Sequence, residues 1–600
     1  MALEEIGPLL GNAMITLGSW DQAQELVDQL PPDDGRVRLL RSQLKFVRGD
    51  FRGAHEEAGA ALDTSGVDRT EVLIRLADIE LYLGRFPDAE RYVREASAEA
   101  ARSGSVPHRA RCLGELGAIE FFSGDITRGE TLFTQALTLV KGMPDNERDI
   151  SLQTVLLGNL GNVAEARGDW AGAQHLHGEA LRLRREIADA RGALHSLHAL
   201  GRCRIALGDR EAGLALYVEA ERLAADLGES LERAKISHSR AELALRDGDG
   251  QAAYQLAFVA YDSFTASQTH YDITHAEATL SAAAAADGRE RDSVERGAAA
   301  RVSIQTRGYG LLRHLYPVVA YPHAERIAGA VIGYACGDAL GLPWENFPPA
   351  HPSPAEIEAL PAREGWERGA TSDDEGWERG ATSDDTALTL LVAQHLAERG
   401  GAADARAFLQ TLAAAAESIH GLGPSTTGAI EHFQATDELP VSGGTTNGAP
   451  MRALPVGWAT SLDDPDRRRR RAIELTQATH TAPDALVAAC VVAACASWAL
   501  EGASGELLLN IAIEEENQAK PVCGASDRLS VLLASLLAGT WHPSPQGISL
   551  DPAETVTAAL ACTLWASSLR AGLLQAVGMG GDTDTVAAIT GGLLGARLTV

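Results

Sequence analysis

Cysteine is scarce and scattered. Seven residues (Cys112, Cys203, Cys336, Cys490, Cys495, Cys523 and Cys562) are spread over 600, and none forms a CxxC pair. The odd count and wide spacing point neither to a disulfide framework nor to a thiolate zinc site, and reduced thiols fit a cytoplasmic setting. Positive charge is also short. Asp and Glu number 82 against 52 Lys and Arg, a net charge of −30 divided equally between the two halves. Binding to nucleic acid or an anionic membrane through a basic face is therefore not expected.

No apolar stretch reaches the roughly 20 residues that a membrane span requires. The longest, residues 485–500, has 16 and is rich in alanine, which reads as a buried core helix. The N-terminus, MALEEIGPLL, has no basic region ahead of a long apolar one, so no secretory signal is expected. What is present suits a folded chain: 45% hydrophobic and 22% charged residues. A length of 600 residues exceeds the ~250–300 that one hydrophobic core supports, so at least two domains are expected.

A short pattern recurs through the first half, as GSWDQA, GDFRGA, GRFPDA, GDITRG, GDWAGA, GDREAG, GDGQAA and GRERDS, starting at Gly18, Gly49, Gly84, Gly124, Gly168, Gly208, Gly248 and Gly288. The later starts settle at intervals of 40 residues. Such a period marks a solenoid of stacked units, because each buries its apolar face only against its neighbours. Within a unit, glycine suits the left-handed residue that ends one helix, and five positions on stands Ala23, Ala54, Ala89, Gly129, Ala173, Gly213, Ala253 or Ser293. A small residue there lets a second helix pack closely, so each unit is predicted to be a helical hairpin. The first unit opens at the start of the chain with no cap of its own, as it would if further domains preceded it. The pattern resembles a tetratricopeptide repeat array over residues 1–320, and the resemblance implies a concave surface for a protein or peptide partner; a spacer or oligomerisation scaffold is the alternative. In this array His175 and His177, and His195 and His198, have no carboxylate at metal-site spacing and are expected to be exposed.

Beyond residue 320 the rhythm stops, and residues 321–600 carry three acidic clusters beside small residues and helix starts. They are GDALGLPWE with Asp338 and Glu345, TSDDT with Ser383, Asp384, Asp385 and Thr386, and GGDTDT with Asp582, Asp584 and Thr585. One Asp or Thr is enough to cap a helix. Two aspartates and a hydroxyl, twice over, exceed that need. If both helix starts face one pocket, the oxygen donors suit Mg2+, Mn2+ or Ca2+ rather than zinc or copper; solvated caps are the other reading.

GDALGxxxE, SDDT, NGAPMR, TH before an alanine-rich helix and GGDTDTVAAITGGLLGA follow in that order. Together they resemble the ADP-ribosylglycohydrolases of the dinitrogenase-reductase-activating type over residues 322–600. The resemblance implies an all-α fold and a centre of two Mg2+ ions, with Mn2+ as the alternative, that removes ADP-ribose from modified side chains. By position, Ser383, Asp384, Asp385, Asp582, Asp584 and Thr585 would ligate metal, and Glu345, Asp384 and Asp385 would serve catalysis. Asn447, Gly448 and His480 would line the ADP-ribose site. Carboxylates beside an anomeric carbon are suited to stabilise the positive charge that develops when a glycosidic bond breaks.

For some residues two readings stay open. Asp338 either fixes a helix turn or acts directly, and Arg452 either holds its loop through a carboxylate or meets phosphate. The run Arg467 to Arg471 after DDPD reads as a capped helix start with a solvated basic face.

Three features depart from the family pattern. EGWERGATSDD occurs twice, at 364–374 and 375–385; the ligands are assigned to the second copy, and the first, with Asp373 and Asp374, is expected to bulge as a loop. Ser383 stands where Thr is common, and the chain ends at Val600, soon after the last motif. The duplication supports a rival reading, a catalytically impaired ADP-ribose-binding scaffold or regulator, against which the intact carboxylate set argues. The expectation is a repeat array for partner binding joined to a hydrolase acting on an ADP-ribosylated protein or conjugate.

Overall fold

The computed structural model describes residues 2–64, 66–144, 148–316, 323–349 and 381–598. Among them the chain is helical, with one isolated parallel bridge, Ile548 to Gly581, and it divides into two compact units, Met1–Tyr321 and Pro322–Val600.

The first unit is a succession of helix pairs, from Ala2–Thr16 with Trp20–Val27 to His270–Ala286 with Glu290–Arg307. All eight pattern glycines adopt positive φ, between 71° and 96°, so each ends a helix in the left-handed region where a Cβ would be strained. The aspartate that often follows caps the next helix: Asp50 accepts from the Gly53 N–H, Asp125 from Arg128 and Asp169 from Gly172, each at 2.9 Å. Ala23, Ala54, Ala89, Ala173 and Ala253 are fully buried, as tight crossing of the two helices requires. The first helix of a unit contributes a matching glycine beneath a ring on the second. A Cβ on Gly117 would lie 2.8 Å from the Phe133 ring and one on Gly201 would lie 2.5 Å from that of Tyr217.

At the equivalent place, Gly161 lies against His177. The expectation that the array histidines are exposed therefore fails for three of the four. His177 is 2% exposed and meets Glu165 at 2.9 Å, His198 is buried against the Ser239 hydroxyl at 2.9 Å, and half-buried His195 faces Glu232 at 3.4 Å. Their partners come from neighbouring helices, 12 to 41 residues away, which local spacing cannot reveal. His175 alone is exposed.

In the second unit Pro483–Leu500 is the central helix, buried at every residue from Ala485 to Leu500. This helix and His323–Trp344 are long and apolar enough to cross a membrane by length and composition, but 89% of the former is buried within the protein. His323–Gly341 crosses Thr583–Leu598 with backbone against backbone. Gly329, Gly333, Gly337 and Gly341, one turn apart, lay bare backbone against Gly595, Gly591, Ala587 and Asp584; a methyl at Gly333 or Gly337 would strike the carbonyl of Gly591 or Ala587. That contact carries the segment after Gly341 to the start of the last helix, where the third acidic cluster sits.

The arginine run behaves differently from expectation. Asp464 does cap Pro465–Gln477 through the Arg467 N–H, but Arg468 and Arg471 are buried and Arg469 pairs with Glu515 at 2.7 Å. Only Arg467 and Arg470 keep the solvated character, because Arg468 and Arg469 turn to Glu515 and Arg471 to the Ala459 carbonyl and the Thr460 hydroxyl.

Candidate active site

The helix Asp384–Glu398 begins at Ser383, whose hydroxyl oxygen accepts from the Asp385 N–H at 3.2 Å. Asp338 holds this start from outside. Its carboxylate accepts from the Ser383 N–H at 3.0 and 3.1 Å, from the Thr386 N–H at 3.1 Å and from the Thr386 hydroxyl at 2.6 Å. Asp338 thus fixes a helix turn, although on a different helix from its own. With the backbone donors satisfied in this way, the side chains of Asp384 and Asp385 are free to turn elsewhere.

Asp385 is 2% exposed and lies beside the Thr585 side chain, and its Oδ2 has no hydrogen-bond partner. Burial, then the charges of Asp338, Asp384 and Asp582, raises its carboxyl well above the usual range. Burial above all also pushes Asp384 up to about 7.

The second arm is the GGDTDT turn. Gly580 and Gly581 take φ of 69° and 76°, and the turn is stitched on both sides: Asp582 N–H donates to Ile548 O at 2.9 Å, Gly581 N–H to Phe347 O at 2.8 Å and Asn346 N–H to Gly581 O at 2.8 Å. The last two bonds pin the residues next to Glu345, so carboxylate oxygens of Glu345, Asp582 and Asp584 all lie within 4.8 Å of one another. Thr585 donates its hydroxyl to Asp582 at 3.3 Å, and Asn447 donates its amide to Asp582 and, at 2.9 Å, to the Thr555 hydroxyl. Burial is the first cause of a raised carboxyl at each acid: Asp582 rises to about 6, Asp584 well above its ordinary value, and Glu345 upward with Asp582 as the second cause.

The two helix starts therefore come together where Asp385 approaches Thr585. Gly448 and His480 pack together: a Cβ on Gly448 would sit 3.0 Å from the imidazole. His480 is fully buried, with Nε2 on the Thr446 hydroxyl at 3.1 Å and Nδ1 on the Thr479 hydroxyl at 2.7 Å; burial brings it down to about 3, so it is neutral. Arg452 donates to that same Thr479 hydroxyl and lies over the Phe408 ring at 5.3 Å, holding the loop through a hydroxyl rather than through a carboxylate. Asp373 and Asp374, and the bulge expected of the first duplicated copy, lie outside the described residues.

Sequence reasoning did not find the Asp338 clamp, the Thr555 support of Asn447 or the glycine contact. Glycine at every fourth position from 329 to 341 was a visible signal for the last. Nothing local marks Thr555.

A family model described as ADP-ribosylglycohydrolase matches residues 320–599, and one described as MalT-like TPR region matches residues 35–295. The Escherichia coli (strain K12) protein YegU is 30% identical over 308 residues, which cover 45% of this chain and 87% of that protein. The chain belongs to the ADP-ribosylglycohydrolase family. Among solved structures, an ADP-ribosylglycohydrolase-related protein complex is 28% identical with a TM-score of 0.37, over 46% of this chain and 88% of its own. A Rap protein complexed with competence and sporulation factor is 14% identical with a TM-score of 0.41, over 51% of this chain and 84% of its own.

The acidic centre of the ADP-ribosylglycohydrolase domain fits a hard divalent cation. Its donors are all oxygens, their carboxyls are forced upward by shared burial, and one buried carboxylate oxygen of Asp385 lacks a partner. A cation among these groups would offset the cost of crowding them away from water.

Proposed function

We propose that the C-terminal unit hydrolyses the bond between the anomeric carbon of ADP-ribose and a protein side chain. The observation that carries this reading is the Glu345–Asp582–Asp584 cluster, held beside Asp385 and Thr585. Ser383, Asp384, Asp385, Asp582, Asp584 and Thr585 would hold two Mg2+ ions, or Mn2+, whose charge would orient the ribose hydroxyls and neutralise the carboxylates. The reaction consumes one water and releases free ADP-ribose and the unmodified side chain. Glu345, raised by burial and by Asp582, is suited to carry the proton between water and the leaving group. The neighbouring carboxylates would stabilise positive charge growing at the anomeric carbon. Asn447 holds Asp582 in place, while Gly448 and the buried His480 shape the loop on which the ADP-ribose would rest.

The repeat unit would recruit a protein or peptide partner into the cavity of about 810 Å³ that its helices enclose. Seven free thiols, five of them buried, suit a reducing cytoplasm. The experiment is release of free ADP-ribose from ADP-ribosylated proteins and from arginine conjugates, with Mg2+ and then with chelator. Release that chelator abolishes supports the hydrolase; metal-dependent binding of ADP-ribose without release replaces it with a sensor.

A further inference from the structure

The 40-residue period stacks corresponding positions of successive units on one wall of the repeat-unit cavity. His198 and His238 are one such pair, and His195, Lys235 and His275 another set. Where two of these columns meet, His238 and Glu242, one turn apart on Ser230–Arg246, converge with His275 of the next unit. Their ligating atoms lie within 4.8 Å of one another.

We propose that His238, Glu242 and His275 form a zinc-binding site within the repeat unit, separate from the acidic centre of the glycohydrolase. His275 Nε2 stands 3.4 Å from Glu242 Oε1, close to the edge of about 3.4 Å that a tetrahedron with zinc–ligand bonds near 2.0–2.1 Å would have. The Tyr316 hydroxyl sits 3.0 Å from Glu242 and 3.1 Å from His275, where a fourth ligand or an outer hydrogen bond belongs. The donor set is right for zinc rather than magnesium: two imidazoles and one carboxylate. Two neutral imidazoles with one anion leave a bound divalent ion a net charge of +1, which Asp272 on the same cavity wall would further offset.

The other mixed cluster in this unit shows why this one is chosen. Glu165, His177 and Cys203 also lie within 4.8 Å, but Arg202 binds both oxygens of Glu165, at 2.9 and 3.1 Å, and already supplies the positive charge. Among the described residues Glu242 has no such arginine or lysine; its ion-pair partner is His275. The Thr279 hydroxyl, 2.8 Å from His238 Nε2 and 2.9 Å from the Tyr316 hydroxyl, closes the shell. The cavity gives the ion a path in.

The test titrates Zn2+ into the metal-free full-length chain in excess Mg2+, which occupies oxygen-rich sites, and repeats it with Co2+ while the visible spectrum is read. Wild type is expected to take up one Zn2+ equivalent that Glu242→Gln and His275→Ala lose and Asp582→Asn keeps, with the intense bands of four-coordinate Co2+ following the same pattern. Equal uptake by wild type and Glu242→Gln would overturn the proposal, as would Co2+ bands that vanish with Asp582→Asn instead. Glu242→Gln keeps size and helix propensity, so it decides the question even where His275→Ala fails to fold.

Discussion

The Thr386 hydroxyl donates to Asp338 at 2.6 Å, across 48 residues of sequence, and this bond with its three backbone companions sets where the helix bearing Asp384 and Asp385 begins. Replacing Asp338 by Ala strands two buried N–H groups and a hydroxyl, at about 1–3 kcal/mol for each group left unsatisfied. Asp338→Ala is expected to lower stability by at least about 3 kcal/mol and to weaken Mg2+ binding more than tenfold, although Asp338 itself need not touch the ion. Urea denaturation and Mg2+ titration measure the two effects; an unchanged Mg2+ affinity would mean that the clamp does not position the pair.

The glycine contact makes a second, sharper claim. Gly337→Ala puts a methyl against the Ala587 carbonyl and should cost about 3 kcal/mol or more, since both helices are fixed by the core around them. Gly59→Ala and Gly178→Ala, at helix positions with nothing within 4 Å of the added Cβ, should instead be neutral or stabilise by up to about 1 kcal/mol. Thermal melts of the three variants compare them directly. Loss of ADP-ribose release should accompany only Gly337→Ala, because the Glu345 segment depends on that crossing.

What could be read in advance followed from interactions close in sequence. The left-handed glycines from Gly18 to Gly288 and the small residues behind them answer to local turn geometry and to one helix crossing, so spacing alone located them. The pairing of Asp385 with Thr585 was legible only because each sits at a helix start rich in oxygen donors. His177 was misjudged for the opposite reason. It occupies a ring position filled by Phe133 and Tyr217 in neighbouring units, and only the fold shows that Glu165 compensates for its polarity.

Removing metal should leave a pH signature in the C-terminal unit. Asp384 and Asp582 rise to about 7 and about 6, against about 3.9 in an unfolded chain, so between these values the folded metal-free unit binds more protons than the unfolded one. Its stability should therefore fall as pH rises from 4 to 7.5. Mg2+ must displace those protons, so its affinity should climb over the same interval, most steeply near pH 6–7. Calorimetric titration at pH 5.5 and 7.5, in chelator-treated protein, reads both; a Mg2+ affinity independent of pH would contradict the assignment of these carboxylates as ligands.

The buried histidines of the repeat unit contribute with the opposite sign. Burial brings His198 down to about 3, with Arg202 as the second cause, and His238 likewise to about 3, with His275 beside it. An unfolded histidine titrates near 6.5, so below that value the unfolded chain takes up protons that the folded one refuses. The histidine contribution is full above pH 6.5 and declines as pH falls toward 3, by up to about 2 kcal/mol per histidine at pH 5. Glu115 and Glu277, raised chiefly by burial to about 8 and about 7, oppose the histidines in this window, whereas Glu165 does not enter it. Burial would raise Glu165, but Arg202 and His177 take it down to about 2, so its contribution is lost only below pH 4.5. Urea denaturation of the metal-free protein at pH 7.5 and 5.0, in wild type and in His198→Gln, isolates the histidine contribution to the repeat-unit transition. His198→Gln, which can still bond to the Ser239 hydroxyl, should remove one of three histidine contributions to the repeat-unit transition, those of His195 and His238 remaining, and leave the other transition untouched. A shift of the same size in wild type and His198→Gln would show that this imidazole is not the group refusing the proton.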